Sequence, residues 1–245
     1  LVTAPRPILE PTNNSLIAAM TDRVASELRS CLVPVELRLG DVLHEANVDQ
    51  AYVYFPTAGV VSLLYLMRDG LTAEIALVGR DGLVGLASAL GGSRATSRAT
   101  VQVGGHAYRA PVKSVRALMA VAESRDVLVR YAQVAMAQMS QTAVCNRHHS
   151  LVQQLCRWIL HSLDLVEGNE IQMTQRLIAE MLGVRREGVS LVAGALKAER
   201  IIEYDRGHMR IVDRAAMEKR VCECYAVVVA ETKRLLPRAR RRASS

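Results

Sequence analysis

The chain has 245 residues, of which 50% are hydrophobic and 22% charged, and its formal net charge is +7. This is the composition of a soluble, well-cored globular protein of one large or two ordinary domains; its longest apolar runs, such as Gly59 to Met67, fall short of the roughly 18 to 20 residues a membrane span needs. Five scattered cysteines (Cys31, Cys145, Cys156, Cys222, Cys224) make no disulfide framework, and the N-terminus has no basic segment followed by an apolar one, so a cytoplasmic protein with reduced thiols and no secretory signal is expected.

From about Val35 to Tyr108 the pattern is one of short strands. "VELRL" alternates, "GD" turns, "AYVYF" is aromatic and β-branched, "PTAG" reads as a turn, "VVSLLYLM" as a long strand, and "TAEIALV" alternates again after "RDG". Two glycine-rich interruptions, "GRDGLVG" and "LGGSRATSRAT", precede "TVQV" and "HAYRA". Strands so spaced predict a β-roll, barrel or sandwich.

After Pro111 the chain turns helical, with a short helix predicted to about Ala122 and a long one from about Arg125 to Arg147. Along the long helix Leu128, Ala132, Ala135, Met139, Thr142 and Asn146 recur at alternating steps of four and three. Such a seam suits a contact between two helices, and a simple intramolecular core equally well. A third helix, "SLVQQLCRWILHSLDLV", carries Leu151, Leu155, Trp158, Ile159 and Leu163 on one face.

Thr174 is a good N-cap for a helix over 175–182, and Gly183 stands where a left-handed residue ends it. A second helix over 185–200 buries Val189, Val192, Ala193 and Leu196, the form of a helix-turn-helix. Its outward face opens with Arg185, Arg186, Glu187 and Ser190. Arg can bond guanine bidentately, Glu can accept from cytosine, and Ser can reach a base or a phosphate. "IIEYDRGHMRIV" (Ile201 to Val212) then reads as a β-hairpin, the wing of a winged helix-turn-helix, with Arg206, His208 and Arg210 placed to follow a phosphate backbone. The basic charge lies in this half: residues 146–245 hold 18 Lys/Arg against 12 Asp/Glu, while residues 1–145 hold 13 against 12. Four of the positives (Arg238, Arg240, Arg241, Arg242) form a C-terminal tail, and the region suits a polyanionic partner.

These segments together resemble the cyclic-AMP receptor protein / fumarate-nitrate reductase regulator (Crp/Fnr) superfamily of bacterial transcription factors, from about Val24 to Val212. The resemblance rests on "LRLGDVLHEANVDQAYVYFPTAGVVSLL", "GRDGLVGLASALGG" and above all "MTQRLIAEMLGVRREGVSLVAGALKAERII". It implies an α+β fold: an N-terminal cyclic-nucleotide-binding-like β-roll (1–122), a long dimerisation helix (123–149) and a C-terminal winged helix-turn-helix (150–237), followed by the basic tail (238–245). It further implies a homodimer joined along the long helix, a pseudo-palindromic double-stranded operator, and room for RNA polymerase as a partner. Arg186 and Glu187 match the family's base-reading Arg and Glu, while Leu191 stands where many members have a further Arg.

The sensor region departs from the family pattern. Cyclic-nucleotide-binding members hold the ligand with Gly-Glu-Leu and a following Arg-Ser or Arg-Thr; here Leu86 follows Gly85, and Ser97-Arg98 is in reversed order ahead of Thr100. A leucine cannot accept a hydrogen bond from ribose, so cyclic AMP is not the expected effector. No cofactor or metal site is expected: only Cys31 lies where a cluster of the fumarate-nitrate type would need several cysteines, and His44, His106, His148, His149 and His161 read as structural or solvated. Cys222 and Cys224 leave a redox- or metal-responsive regulator as an alternative, and a non-DNA-binding adaptor is another. A metal-binding cupin or enzyme would need converging ligands, and the strands offer only His44 with Glu45.

Overall fold

A computed structural model describes residues 9–236, and the arginines of the basic tail lie outside the described residues. Two short helices, α1 (Ser15–Ala18) and α2 (Asp22–Arg29), lead into the β-roll. Asn14 places them: its Oδ1 accepts from Leu16 N, while its Nδ2 donates to the carbonyls of Pro56 and Gly82, each at 2.9 Å. One buried side chain thus caps a helix and pins it to the sheet.

The roll is antiparallel. Strands β1 (Val33–Leu37), β2 (Val42–His44), β3 (Tyr52–Leu66), β4 (Thr72–Val78) and β5 (Arg98–Pro111) form a sheet in the order β1-β5-β3-β4, with β2 also on β5. "PTAG" is not a turn: β3 runs straight through it, with register shifts at Pro56/Ala58, Ala58/Val60 and Val60/Val61. A bulge is where a strand tolerates proline's missing N–H, and Gly59, at φ +89°, takes the left-handed conformation such a bulge asks for. Opposite it, any side chain at Gly105 would run into the Ala58 carbonyl. A short helix, α3 (Leu86–Ala89), fills the loop after β4.

The helical half begins with α4 (Val112–Leu118) and α5 (Ala122–His148). At 27 residues, α5 is about 40 Å long. It breaks at His149, and α6 (Leu151–Asp164) restarts from a capping box in which Ser150 and Gln153 satisfy each other's backbone N–H groups. There follow β6 (Glu170–Gln172), α7 (Gln175–Leu182), α8 (Arg186–Ala198), β7 (Ile202–Asp205) and β8 (His208–Ile211). The wing has three strands in the order β6-β8-β7, one more than the hairpin pattern predicts. Its Arg206-Gly207 turn has φ > 0 at both residues, as a two-residue hairpin of this hand requires. Trp158, Leu155, Ile178, Val189, Leu196 and Met209 centre the core of this half.

Two further helices, α9 (Arg214–Glu218) and α10 (Glu223–Leu235), fold back after the wing. α10 packs along α5 and carries Leu235 and Leu236 into the core shared with α1, α2 and Phe55. Arg214 pairs with Asp164 at 2.7 Å, and the Tyr225 hydroxyl donates to the same carboxylate at 2.7 Å, tying α9 and α10 to the end of α6.

This packing decides which side of α5 is free. Leu128 is fully buried in the chain's own core, and buried Thr142 accepts a hydrogen bond from Arg157. Ala132, Ala135 and Met139 are half-buried, leaving Asn146 exposed. The seam read from the sequence, which suited a partner helix or the chain's own core alike, is therefore partly covered by its own chain. The exposed stripe lies one position along: Val129, Gln133, Met136, Ser140, Ala143 and Arg147, again at alternating steps of four and three, with Met136 68% exposed.

Candidate nucleic-acid interface and buried thiol cluster

Helices α7 and α8 meet as a helix-turn-helix. Thr174 caps α7, its Oγ1 accepting from Leu177 N at 3.2 Å, and Gly183 ends it at φ +65°. Arg185 is extended (φ −75°, ψ 143°) and serves as the N-cap of α8, which begins at Arg186, one residue later than the pattern predicts. Arg185, Arg186 and Glu187 are exposed. Ser190 is half-buried and donates to Gln175 Oε1 at 2.5 Å, so its hydroxyl already braces the two helices. Leu191 projects from the same outer face with 77% of its surface exposed.

The wing divides its predicted contacts. Arg206 sits at the turn with 91% of its side chain exposed, 4.0 Å from Asp205. Arg210 is held by Glu203 at 2.5 Å, and His208 faces Glu170 at 3.4 Å. Both are occupied along the sheet, and a phosphate would have to displace a carboxylate to use them.

In the roll, Gly85 is buried and left-handed (φ +94°) at the start of α3, and Leu86 packs on the core beside α1 and α2. Ser97 is buried, Arg98 pairs with Glu45 at 2.7 Å, and Thr100 Oγ1 is buried without a hydrogen-bond partner. A cavity of about 890 Å³ lies elsewhere, between the roll, α5, α6 and α10, with Arg80, Tyr131, Gln138, His161, Arg214 and Tyr225 in its wall.

Roll and DNA-binding half are joined by a buried polar chain. Ser62 Oγ lies 2.6 Å from Glu74 Oε2 and 2.5 Å from Gln102 Oε1, and Gln102 Nε2 donates to Ser162 Oγ of α6 at 3.1 Å. Burial pushes the Glu74 carboxyl up to about 7.

The fold also assembles residues that sequence spacing left apart. Cys145 Sγ and Cys222 Sγ are 3.6 Å apart, as are Cys224 Sγ and His149 Nδ1, and the ligand atoms of all four residues lie within 4.8 Å of one another. Arg157, itself buried, donates from Nε to Cys145 Sγ at 3.2 Å. Burial pushes the Cys145 thiol up, Cys224 to about 12 and the nearby Cys156 to about 11. The i, i+4 spacing of Cys145 and His149 at a helix end was the available signal; Cys222-Glu-Cys224 by itself lacked a second pair. Cys31 lies outside the group.

Two family models match the chain: a cyclic nucleotide-binding domain over residues 34–121 and a Crp-like helix-turn-helix domain over residues 153–220. No curated protein sequence matches it. Among solved structures, the chain is similar to FixK2 from Bradyrhizobium japonicum, at 15% identity, covering 78% of this chain and 98% of that one, with a TM-score of 0.68. It is similar also to TTHB099, a transcriptional regulator of the CRP family from Thermus thermophilus (18% identity, 76% and 95% covered, TM-score 0.64). A third is CLP, the c-di-GMP-responsive global regulator of Xanthomonas campestris (12% identity, 78% and 99% covered, TM-score 0.61). At such identities the structural likeness speaks for the fold. No helix among the described residues is long and apolar enough to cross a membrane.

Proposed function

Because the chain belongs to the Crp/Fnr superfamily of transcription regulators, we propose that it is a homodimeric regulator that reads a specific double-stranded operator and does not take cyclic AMP as its effector. The observation that carries the reading is the first turn of α8. Arg186 and Glu187 are exposed there, and no ion pair or side-chain hydrogen bond engages either among the described residues. The N-terminal turn of a recognition helix is the part that reaches base edges in the major groove. Arg185 and Arg206 are placed for phosphates, which fix register rather than sequence.

Leu191 supplies an unusual third reader. An aliphatic side chain this exposed costs solubility and gains nothing within the chain; against DNA it is suited to the C5-methyl group of thymine. Homodimerisation is supported by the exposed stripe on α5 from Val129 to Arg147, whose heptad-like steps suit a parallel helix pair. Two copies of α8 would then face half-sites about one DNA turn, roughly 34 Å, apart. The reading that cyclic AMP is not the effector is supported by Leu86, an apolar side chain packed half-buried against the core, and by Arg98, which is paired with Glu45.

Selection of bound fragments from a genomic DNA pool tests this reading. A pseudo-palindromic site recovered by the wild-type chain and relaxed by Arg186→Ala is the expected result. Absence of any sequence preference at moderate salt would favour an adaptor that has kept the fold alone.

A further inference from the structure

We propose that Cys145, His149, Cys222 and Cys224 hold a single divalent metal ion of the zinc class in a tetrahedral site that clamps the α5–α6 hinge to the start of α10. The spacing is that of one ion. Zinc–sulfur bonds of about 2.3 Å put the sulfurs of a tetrahedral site about 3.8 Å apart, and Cys145 Sγ lies 3.6 Å from Cys222 Sγ, as Cys224 Sγ does from His149 Nδ1. A cluster of several irons would hold its ligands further from one another than the 4.8 Å that spans this group.

The surroundings are those of a metal site as well. His149 turns Nδ1 towards Cys224 and Nε2 towards Glu223, whose carboxylate lies 3.4 Å away. A carboxylate on the far nitrogen is the usual orienting partner of a metal-bound histidine, fixing ring and tautomer. Gln154 Nε2 donates to the His149 carbonyl at 2.9 Å, holding the backbone of the ligand.

Charge balances inside the protein. Binding releases one proton from each of the three thiols; three thiolates, a neutral imidazole and a dication then carry a net charge of −1. Arg157 is 5% exposed, permanently cationic, and already donates to Cys145 Sγ. A buried guanidinium needs an anion, and the loaded site is one. Cys222 and Cys224 also begin α10, a 13-residue helix whose N-terminal amides favour negative sulfur. Three segments converge: Cys145 is in the last turn of α5, His149 is the break before α6, and Cys222 with Cys224 opens the returning helix. An ion there ties the long helix to the DNA-binding half across its hinge.

The test uses the full chain, purified under reducing conditions, stripped with a chelator and reloaded with zinc or cobalt. Equimolar zinc is expected, and with cobalt both thiolate-to-metal charge-transfer absorption and the intense visible bands of tetrahedral coordination. Cys222→Ser and Cys224→Ser should lose both, Cys31→Ser should keep them, and Cys224→His should restore binding with shifted visible bands, which separates lost ligation from lost folding. Zinc should raise the melting temperature of the wild type and leave that of Cys224→Ser unchanged. The proposal falls if the folded wild type reloads with only trace metal, if Cys224→Ser keeps the wild-type cobalt spectrum, or if mass spectrometry finds Cys145 and Cys222 joined as a disulfide in place of metal.

Discussion

Ser62 Oγ lies 2.6 Å from Glu74 Oε2 and 2.5 Å from Gln102 Oε1, which places one hydroxyl proton between two acceptors. With the Gln102 amide donating to Ser162, both short contacts are satisfied when Glu74 carries a proton and donates it to Ser62. The same buried chain that joins β3, β4 and β5 to α6 is therefore complete with a neutral glutamic acid. Burial raises its pKa to about 7, against the lowering pull of Ser62, Trp158 and the Arg157 charge.

A pH dependence of stability follows. The folded-state pKa of Glu74 lies above its ordinary 4.5, so the stabilisation is fully present below about pH 4.5 and is lost as pH rises through about 7. A shift of this size corresponds to about 3 kcal/mol across that window. Buried histidines such as His161, lowered to about 3 by desolvation, act in the opposite direction at acid pH, so the comparison must be made against Glu74→Gln. Urea unfolding at pH 5 and pH 8 should show a loss of stability in the wild type that is several-fold smaller in the variant; equal slopes would refute the buried-acid assignment.

On the proposed reading, α8 reads bases and the wing holds phosphates. Arg186→Ala should cost about 1–3 kcal/mol of discrimination at one base pair while weakening non-specific binding little. Arg206→Ala should weaken all sequences alike and reduce the slope of log K against log salt by about 1. Fluorescence anisotropy titrations on matched and mismatched operators across a salt series distinguish the two behaviours.

Leu191 should be silent in the fold and audible in the DNA. Its side chain is mostly in water, so Leu191→Ala should change unfolding free energy by no more than about 0.5 kcal/mol. Replacing a single thymine by uracil in each half-site should weaken the wild type and leave Leu191→Ala unaffected. A variant that binds both operators as the wild type does would remove Leu191 from the reading set.

The two faces of α5 should respond differently to substitution. Met136→Glu, on the exposed stripe, should yield a folded monomer in sedimentation equilibrium. Leu128→Ala, on the buried face, should instead cost about 2–5 kcal/mol of stability through the cavity it leaves. If Met136→Glu remained dimeric, the stripe would not be the dimer contact.

Much of the plan was legible without coordinates. The strand run, the helix-turn-helix and the wing are each specified by local chemistry: period-two alternation, a Thr cap, a Gly at a left-handed stop, and a two-residue turn. "PTAG" misled because proline and glycine mark bulges as well as turns, and only the partner strand β5 distinguishes them. The heptad pattern on α5 says that a face is covered without saying by what, and Leu128 and Thr142 of that face are covered within the chain itself. Helix α10, which covers part of it, is separated from α5 by the whole winged domain.

The amino-acid sequence by itself determined the run of strands, the helix-turn-helix and the charged first turn of α8, because each depends on neighbours a few positions apart. Only the tertiary structure decided which side of α5 is free, which wing cations are already paired, and that Cys145 and Cys222, 77 positions apart, share one buried site with His149 and Cys224. Those relations are made by long-range packing, whose partners local periodicity cannot name.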